Sequence, residues 1–475
     1  MNTAFPIGRR GLLGSAALTA AWAWAQRGVA AVIGYPRVVQ GPMVGHAGPG
    51  HITIWARVSG DFEVEVEYAT DRSFARSRFT APVKASPAGD FVTVHRIEGL
   101  TPDTTYHYRF RLGGVADRFQ PLPFKTKTAP AGLSDFRVAF GSCARLQFDS
   151  EQRVFTAVAA YEPDLFLWLG DNIYADSDQP EILADTYRRQ RGVERLQPLL
   201  RSTPSLAIWD DHDFGYNDSD RRSPFKSRAL EVFRRYWANP SYGTSETPGV
   251  FFQHSYGGVD FFHLDGRYHR DPGDMPDGPG KTMLGEGQKR WLRAALKASR
   301  APFKILVSGV GWSVAERPGD SFASYQHERD ELFDFIRDEK IEGVVCLSGD
   351  THVGELNCIP RSEQGGYDLY DLVSSPLAQT PNDKWQDQVP EARIRPLFAK
   401  TANFGLLEFR MNGATSTLTY NLYDILGAPV WKPLVLTPAD LRNGVSTWRD
   451  RIDPRELKRL ERYRAGGAYY GPGSR

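Results

Sequence analysis

Four short apolar segments of the chain each end in ionisable or metal-ligating side chains. They are VAFGSC (138–143), LFLWLGDNIYAD (165–176), LAIWDDHD (206–213) and VVCLSGDTH (344–352). An apolar run of this length predicts a buried strand, so the polar residues fall where the strand leaves the sheet. Ligands of open α/β sheets bind in the crevice at the carboxyl ends of the strands. We therefore predict that one crevice collects Cys143, Asp171, Tyr174, Asp210, Asp211, His212, Asp350 and His352.

The segment GDNIY (170–174) is the most specific of these motifs. A glycine after an apolar strand allows a tight turn and a close approach of the backbone to an ion. The carboxylate of Asp171 can bridge two cations, and the phenolate of Tyr174 is a hard anionic ligand that suits trivalent iron. The structural alternative is a turn aspartate that caps a helix beside a buried tyrosine.

The other three segments add further donor types. Three carboxylates surround His212 in DDHD (210–213), and charges this dense repel one another unless a cation or a proton neutralises them. Asp350 and His352 face the same side of an extended segment, and Cys143 would bind a metal as a thiolate. The alternatives are a solvated acidic turn, a common SGD turn and a small buried cysteine. One shared site explains all four segments, so we predict a dinuclear metal centre.

The predicted centre favours chemistry at phosphorus. Two metal ions a few Å apart clamp a phosphoryl group and lower the pKa of a bound water. His212 suits the protonation of a leaving oxygen near neutral pH. Acid–base work and charge stabilisation then complete an in-line displacement.

The N-terminus predicts export. Arg9 and Arg10 precede a modest apolar stretch (11–25) that is too short for a membrane span of about 20 residues. This layout indicates a twin-arginine signal peptide over residues 1–31; the alternative is a short anchor or a first helix. No later segment reaches spanning length, so we expect no transmembrane helix in the mature form. The predicted location is the periplasm, the cell surface or the extracellular space.

Charge and cysteine content bear on nucleic-acid binding and on disulfide bonds. The formal net charge is +1, and it becomes −2 without the three arginines of residues 1–31. A near-neutral chain carries no nucleic-acid-binding signature, and we expect a monomer. Three cysteines do not form a disulfide framework; a Cys346–Cys358 bridge is conceivable, and Cys143 is then the odd one.

The pattern of strands predicts two domains of different class. Residues 32–130 are expected to be all-β, because apolar and polar positions alternate over 51–58, 62–69, 91–97 and 105–112. The loop that ends in TTYHY resembles that of fibronectin type III domains. Residues 134–450 alternate apolar runs with amphipathic stretches, which predicts an α/β domain with helices on its sheets. Residues 451–475 form a charged tail.

The ordered motifs GSC, GDNIYAD, WDDHD and SGDTH resemble the PhoD-type alkaline phosphatases/phosphodiesterases. The segments LGEGQKRWL (284–292) and DGR (265–267) also resemble the catalytic domain of that family. The resemblance covers about residues 30 to 450. It implies a metallophosphoesterase-like β-sandwich flanked by helices, with a site similar to that of purple acid phosphatases. It also implies an exported hydrolase of small or polymeric phosphate esters that uses metal-bound hydroxide.

The resemblance further implies roles for single residues. Fe(III) would be bound by Cys143, Asp171, Tyr174 and His352, with Asp171 bridging to a second metal, Ca²⁺. Asp211 and Asp350 match ligands of that second metal, and spacing does not decide between Asp210 and Asp211. His212 matches the catalytic histidine that contacts the phosphate and assists the leaving group. Weaker phosphate-binding candidates are Asn217 and Arg267.

Two other functions stay open at this point. One is a phospholipase D-like phosphodiesterase, which differs in the leaving group and the pocket. The other is a non-catalytic wall-binding protein in which calcium stiffens the α/β region and the β domain does the binding. A scaffold needs neither Cys143 nor Tyr174, so we rank it below the hydrolase.

Overall fold

The computed structural model describes residues 35–120, 123–313, 320–382 and 390–467. The predicted signal peptide (1–31) lies outside the described residues, as does the end of the predicted tail. No helix within the described ranges is both long enough and apolar enough to cross a membrane.

The N-terminal part is a sandwich of two antiparallel sheets. One sheet consists of β1 (Val38–Gly48), β2 (His51–Val58) and β6 (Val92–Glu98). The other consists of β3 (Glu63–Ala69), β4 (Arg78–Phe79), β5 (Val83–Lys84), β7 (Thr105–Leu112), β8 (Val115–Ala116) and β9 (Phe124–Lys127). Side chains of β7 alternate between the core and the surface, as the sequence predicts for a half-buried strand. Their inward face and that of β3 form a separate apolar core.

The larger part contains two mixed sheets. The first has the order β12-β11-β10-β20-β21-β22, with β10 (Phe136–Gly141), β11 (Leu165–Leu169), β12 (Ser205–Ile208), β20 (Asn403–Arg410), β21 (Thr417–Asp424) and β22 (Leu434–Leu436). The second has the order β13-β14-β15-β16-β18-β17-β19, with β13 (Phe252–Tyr256), β14 (Val259–His263), β15 (Lys304–Val307), β16 (Val344–Ser348), β17 (Gly354–Ile359), β18 (Leu369–Ser374) and β19 (Ala392–Arg393). β10 to β12 are parallel to one another, and so are β14, β15, β16 and β18.

The two sheets pack face to face around one apolar core. Phe409 of β20 lies edge-on to Phe261 of β14, with 6.3 Å between ring centroids. Tyr420 of β21 donates a hydrogen bond to the carbonyl of Val373 in β18 at 3.1 Å. An α/β sandwich flanked by helices is therefore the observed architecture, in agreement with the sequence prediction.

Seven helices of the described residues lie between strands of the sandwich, and two more follow its last strand. They are α1 (Val154–Ala160), α2 (Pro180–Gln190), α3 (Gln197–Ser202), α4 (Asp211–Phe214), α5 (Lys226–Tyr236), α6 (Gly285–Ala298), α7 (Gln326–Asp338), α8 (Trp448–Arg451) and α9 (Pro454–Arg464). α6 buries Gln288, Leu292 and Leu296 at four-residue spacing, so a single stripe of this helix contacts the core.

The β domain is fastened to the sandwich by polar contacts between buried and half-buried groups. Trp55 donates its indole N–H to the carbonyl of Arg235 at 2.8 Å, and Tyr108 donates to the carbonyl of Arg201 at 2.7 Å. Asp90 receives hydrogen bonds from Arg188 and from Tyr236 in the α/β part. The two parts therefore share a specific interface.

All three cysteines are free and buried. Cys346 lies opposite Asp371 of β18, whereas Cys358 lies opposite Tyr370 from the other side of the same strand. A strand therefore separates the two thiols, and the conceivable Cys346–Cys358 bridge is not formed.

Candidate metal centre

The predicted site residues follow strands that end at one edge of the sandwich. Cys143 comes after β10, Asp171 after β11, Asp211 after β12, and Asp350 and His352 after β16. Parallel strands bring their carboxyl ends to the same edge. The structure therefore brings these residues together, as the sequence predicts.

The turns that carry these residues have an unusual backbone. Cys143, Asp171, Asp350 and His352 all have φ between 51° and 66°. Non-glycine residues rarely adopt this left-handed region, and such residues cluster at functional sites. Gly170 has φ 96°, and a Cβ atom there would lie 2.6 Å from Cβ of Asp210. Only glycine fits this close approach of the loop after β11 to the loop after β12.

One group of donors contains a thiol, a carboxylate and an imidazole. Ligand atoms of Cys143, Asp171 and His352 all lie within 4.8 Å of one another. The hydroxyl of Tyr174 is 3.1 Å from Oδ2 of Asp171 and 3.2 Å from Nε2 of His352. The four side chains that the family resemblance assigns to iron thus converge at one point.

A second group of donors is rich in carboxylates. Asp171 belongs to it as well, because its ligand atoms lie within 4.8 Å of those of Asp211 and His212. Two further sets have ligand atoms within 4.8 Å of one another: Asp210, Asp320 and Asp350 form one set, and Asp211, Asp218 and Asp320 form the other. Asp171 therefore stands between the two groups, and both Asp210 and Asp211 are within reach of the second.

His212 lies at the rim of the centre. Its ring packs on the ring of Tyr174 at 4.1 Å between centroids, and its Nδ1 forms a hydrogen bond with Asp176. Its backbone amide donates to Oδ1 of Asp211 at 3.0 Å. With Nδ1 engaged, Nε2 is the nitrogen left for proton transfer.

The two weaker phosphate candidates occupy different environments. Arg267 is fully buried, and its Nε donates to Oδ1 of Asp210 at 2.5 Å. Its Nη1 is 3.1 Å from Oδ1 of Asp320. Asn217 is exposed, and the amide of the next residue, Asp218, donates to Oδ2 of Asp211 at 2.7 Å. Arg267 thus holds the carboxylates of Asp210 and Asp320 in place from the buried side of the site. A phosphate contact by Arg267 or by Asn217 stays a prediction.

The acidic groups perturb one another strongly. Burial, followed by the charges of Asp211 and Asp210, raises the pKa of Asp171 well above its usual value. Burial and then the charge of Asp320 raise the pKa of Asp350 in the same way. Burial also raises the pKa of Asp210, to about 7, although Arg267 opposes the shift. Carboxylates this close together need protons or cations to neutralise them.

The remaining site residues are shifted as well. Burial, together with the charges of Asp171 and Asp350, raises the pKa of the Cys143 thiol. Burial lowers the pKa of His352 to about 4, with smaller contributions from His212 and Arg145. For His212 burial acts downward, but the hydrogen bond to Asp176 and the charge of Asp211 outweigh it and raise the pKa.

The donor set fits metal ions. A thiolate, a phenolate, an imidazole and a carboxylate suit a transition metal such as iron, whereas a cluster of carboxylates suits a hard cation such as calcium. Oδ2 of Asp210 is buried and accepts no hydrogen bond from the described residues. An acceptor of this kind is an open position for a cation.

Sequence reasoning missed four residues that take part in the centre. Asp176 belongs to the GDNIYAD motif, so its nearness to His212 could have been anticipated. Asp218 and Asp320 lie in loops without any distinguishing pattern, and only the folded chain brings them to Asp211. Arg145 follows the GSC motif by two residues and lies 5.3 Å from the Tyr174 ring.

Comparisons with known proteins identify a family for both parts of the chain. A family model described as PhoD-like phosphatase matches residues 138–417, and one described as PhoD-like phosphatase, N-terminal domain, matches residues 23–130. Alkaline phosphatase D of Bacillus subtilis (strain 168) is 25% identical over 369 residues, which cover 63% of this chain and 62% of that protein. The chain thus spans less than two thirds of the length of this curated relative.

Two solved structures share the fold. The structure described as that of PhoD has a TM-score of 0.71 at 19% identity and covers 87% of this chain and 93% of its own. Purple acid phosphatase PPD1 from yellow lupin (Lupinus luteus) seeds has a TM-score of 0.58 at 13% identity, with 86% and 74% covered. Since the first family model matches more than half of the residues, the chain belongs to the PhoD-like phosphatase family.

Proposed function

We propose that the protein is a metal-dependent hydrolase of phosphate esters, acting on monoesters, diesters or both. The observation that carries this proposal is the position of Asp171 between two groups of donors. One group holds Cys143, Tyr174 and His352, and the other holds carboxylates that include Asp211. A carboxylate shared between a mixed group and an acidic group supports a dinuclear centre.

The residues of the chain would divide the work as follows. Cys143, Asp171, Tyr174 and His352 would hold Fe(III), and Asp171, Asp211 and Asp350 would hold Ca²⁺. When bound, the two metal ions supply Lewis acidity and an activated water. Arg267 holds Asp210 in place from the buried side through its ion pair.

His212 would act as the general acid. Asp176 engages Nδ1, so the free Nε2 can give its proton to the leaving oxygen. The raised pKa of His212 favours the protonated form that this step needs. Asn217, in the exposed loop next to Asp218, would contact phosphate oxygens.

Several finer features belong to the same proposal. The domain limits would be 1–31 for a twin-arginine signal peptide, 32–130 for a fibronectin type III-like domain, 134–450 for the catalytic domain and 451–475 for a charged tail. The mature protein would be a monomer that reaches the periplasm or the cell surface through the twin-arginine machinery. The paired arginines and the short apolar stretch support export. Retention in the cytoplasm of a variant with Arg9→Lys and Arg10→Lys would be the expected sign of this route.

Substitution of Asp171 tests the catalytic proposal. We expect Asp171→Asn to abolish hydrolysis of p-nitrophenyl phosphate and of its bis ester, because it removes the bridging charge. Metal analysis and the visible iron–tyrosinate absorption provide a second readout, and both should decrease. Asp338→Asn, at an exposed position of α7 (64% side-chain exposure), is the matched control.

The same experiment separates the alternatives. Wild-type protein that binds metal yet hydrolyses neither ester would favour the calcium-stiffened wall-binding protein. A phospholipase D-like phosphodiesterase would hydrolyse the bis ester alone, so hydrolysis of the monoester would exclude it. Full activity in a colourless, iron-free preparation would exclude the ferric assignment.

A further inference from the structure

Arg145 is held at the mouth of the candidate centre by the backbone around it. Its amide donates to the carbonyl of Ala378 at 2.8 Å, and its carbonyl accepts from the amides of Phe148 and Asp149, both at 3.1 Å. The preceding residue, Ala144, donates its amide to the carbonyl of Asp171 at 2.9 Å. The loop that carries Arg145 is thus joined directly to the loop that carries the shared carboxylate.

The side chain of Arg145 extends over a predicted metal ligand. Its guanidinium carbon lies 5.3 Å from the centre of the Tyr174 ring. Gln147 fixes the same loop from its other end, because its Nε2 donates to the carbonyl of Tyr174 at 2.8 Å. Arg145 therefore has a defined position beside the donors of the first group.

The charge of Arg145 is not neutralised within the described part of the chain. The residue is exposed, and it forms no ion pair with an acidic residue of the described ranges. Arg267 differs in both respects, because it is fully buried and paired with Asp210 and Asp320. Arg270 is also buried and pairs with Asp320. Arg145 is thus an accessible, uncompensated guanidinium next to the centre.

We propose that Arg145 binds the non-bridging oxygens of the phosphoryl group and favours phosphate monoesters over diesters. This inference rests on the proposed hydrolase function. A guanidinium presents paired N–H donors that match two phosphate oxygens. A monoester carries nearly two negative charges at pH 7, because its second pKa is about 6. A diester carries one, so an added cation stabilises the bound monoester more.

The test compares phosphate binding and ester preference in three variants. Arg145→Ala removes the positive charge, whereas Arg145→Lys keeps the charge but lacks the paired N–H donors of a guanidinium. Arg189→Ala, which removes an exposed and ion-paired arginine of α2, is the control. Affinity for inorganic phosphate is measured by calorimetry, and kcat/KM is measured on p-nitrophenyl phosphate and its bis ester. Metal content is determined for each variant.

We expect Arg145→Ala to weaken phosphate binding roughly 10-fold or more, as loss of a charge-assisted hydrogen bond does. The kcat/KM for the monoester should fall by a similar factor and that for the diester by less. Arg145→Lys should recover part of the phosphate affinity, and Arg189→Ala should match wild type. Metal content should be unchanged in all three.

Two results would overturn the inference. One is unchanged phosphate affinity with an unchanged monoester-to-diester ratio in Arg145→Ala. The other is loss of metal from this variant, since Arg145 would then act through the packing of Tyr174. Either result leaves the proposed hydrolase intact as long as wild type is active. Absence of hydrolysis in wild type would instead overturn the proposed function.

Discussion

Four candidate ligands have a strained backbone. Cys143, Asp171, Asp350 and His352 all occupy the left-handed region, which disfavours non-glycine residues by about 1–2 kcal/mol each. The surrounding sheets hold these turns in place, so the donors keep their positions before any ion binds. This preorganisation explains why a centre that is poor in regular structure is still well defined.

Gly170→Ala should disrupt the centre through the backbone alone. The new Cβ would lie 2.6 Å from Cβ of Asp210, at a residue whose φ is 96°. We expect a loss of roughly 2–4 kcal/mol of unfolding free energy and reduced metal content, measured by urea denaturation and metal analysis. Gly273→Ala is the control, because a Cβ there meets nothing within 4 Å. Equal stability of both variants would contradict the strain argument.

A buried histidine makes the fold sensitive to acid. His263 is fully buried, stacks on Phe252 at 4.1 Å between centroids, and finds no partner for either ring nitrogen among the described residues. Burial, with a smaller effect of His46, lowers its pKa to about 3 from 6.5. The unfolded chain therefore binds a proton that the folded chain excludes. The contribution of neutral His263 to the free energy of unfolding is therefore fully present above pH 6.5 and is lost as the pH falls toward 3.

His263→Phe should remove the part of the acid sensitivity that is due to His263. In the wild type, protonation of His263 in the unfolded chain lowers the free energy of unfolding by about 2 kcal/mol between pH 8 and pH 5. We expect the variant to lose that much less unfolding free energy between pH 8 and pH 5, measured by urea titrations at both values. His327→Gln, at an exposed position, should behave like wild type. An identical pH dependence of wild type and His263→Phe would count against this explanation.

At the scale of elements, the loop after β15 is tied to β18 by one carboxylate. Asp371 accepts hydrogen bonds from the amides of Trp312 at 2.9 Å and Ser313 at 3.2 Å, and from the hydroxyl of Ser348 at 2.6 Å. The same loop places Gly309 against Asp210, where a Cβ would lie 3.0 Å from the carboxylate. Asp371 therefore connects the second sheet to the loop that contacts Asp210 of the candidate centre.

Asp371→Ala should loosen this connection. Two backbone amides would lose their acceptor in a buried place, which costs about 1–3 kcal/mol each. We expect a fall in melting temperature and in the metal content of the second site, followed by calorimetry and metal analysis. Asp371→Asn keeps one acceptor oxygen and should be affected less. A melting temperature equal to that of wild type would show that the loop is held by other contacts.

The parallel strands and their loops could be predicted because the local signals agree with the global fold. The apolar start of the segment LAIWDDHD (206–213) lies in β12, and that of VVCLSGDTH (344–352) lies in β16. The later strands β17 to β22 were not foreseen, since their pairing depends on long-range contacts. Asp320 was missed for the same reason: its place beside Arg267 is set by packing. Residue types near strand ends therefore predict a site better than they predict its full lining.

At the scale of the whole molecule, one carboxylate joins the β domain to the sandwich. The carboxylate of Asp90 forms an ion pair with Nη2 of Arg57 in its own domain at 3.1 Å and with Nη1 of Arg188 in α2 at 3.0 Å. It also accepts a hydrogen bond from the hydroxyl of Tyr236. Burial acts to raise the pKa of Asp90, but these partners outweigh it and lower that pKa. The interface thus depends on a charged group with three donors.

Asp90→Ala should weaken the attachment of the β domain. Loss of the three hydrogen bonds is expected to destabilise the protein by about 1–3 kcal/mol and to separate thermal unfolding into two transitions. Differential scanning calorimetry measures both effects. Asp61→Ala, which removes an exposed ion pair with Lys84, is the control. A single transition at the wild-type temperature would mean that the other contacts, among them those of Trp55 and Tyr108, hold the domains together without Asp90.

The candidate donors are spread along the chain from Cys143 to His352. A ribosome that has synthesised the first 300 residues has made the thiol, the phenol and the shared carboxylate, but neither Asp350 nor His352. Under the proposed function, a nascent chain therefore holds only part of a coordination sphere. Captured metal would mark a chain that has been made at least as far as His352 and that has brought the strand ends of both sheets together. Metal content could then serve as an assay for the folding of the centre, in any preparation of the protein.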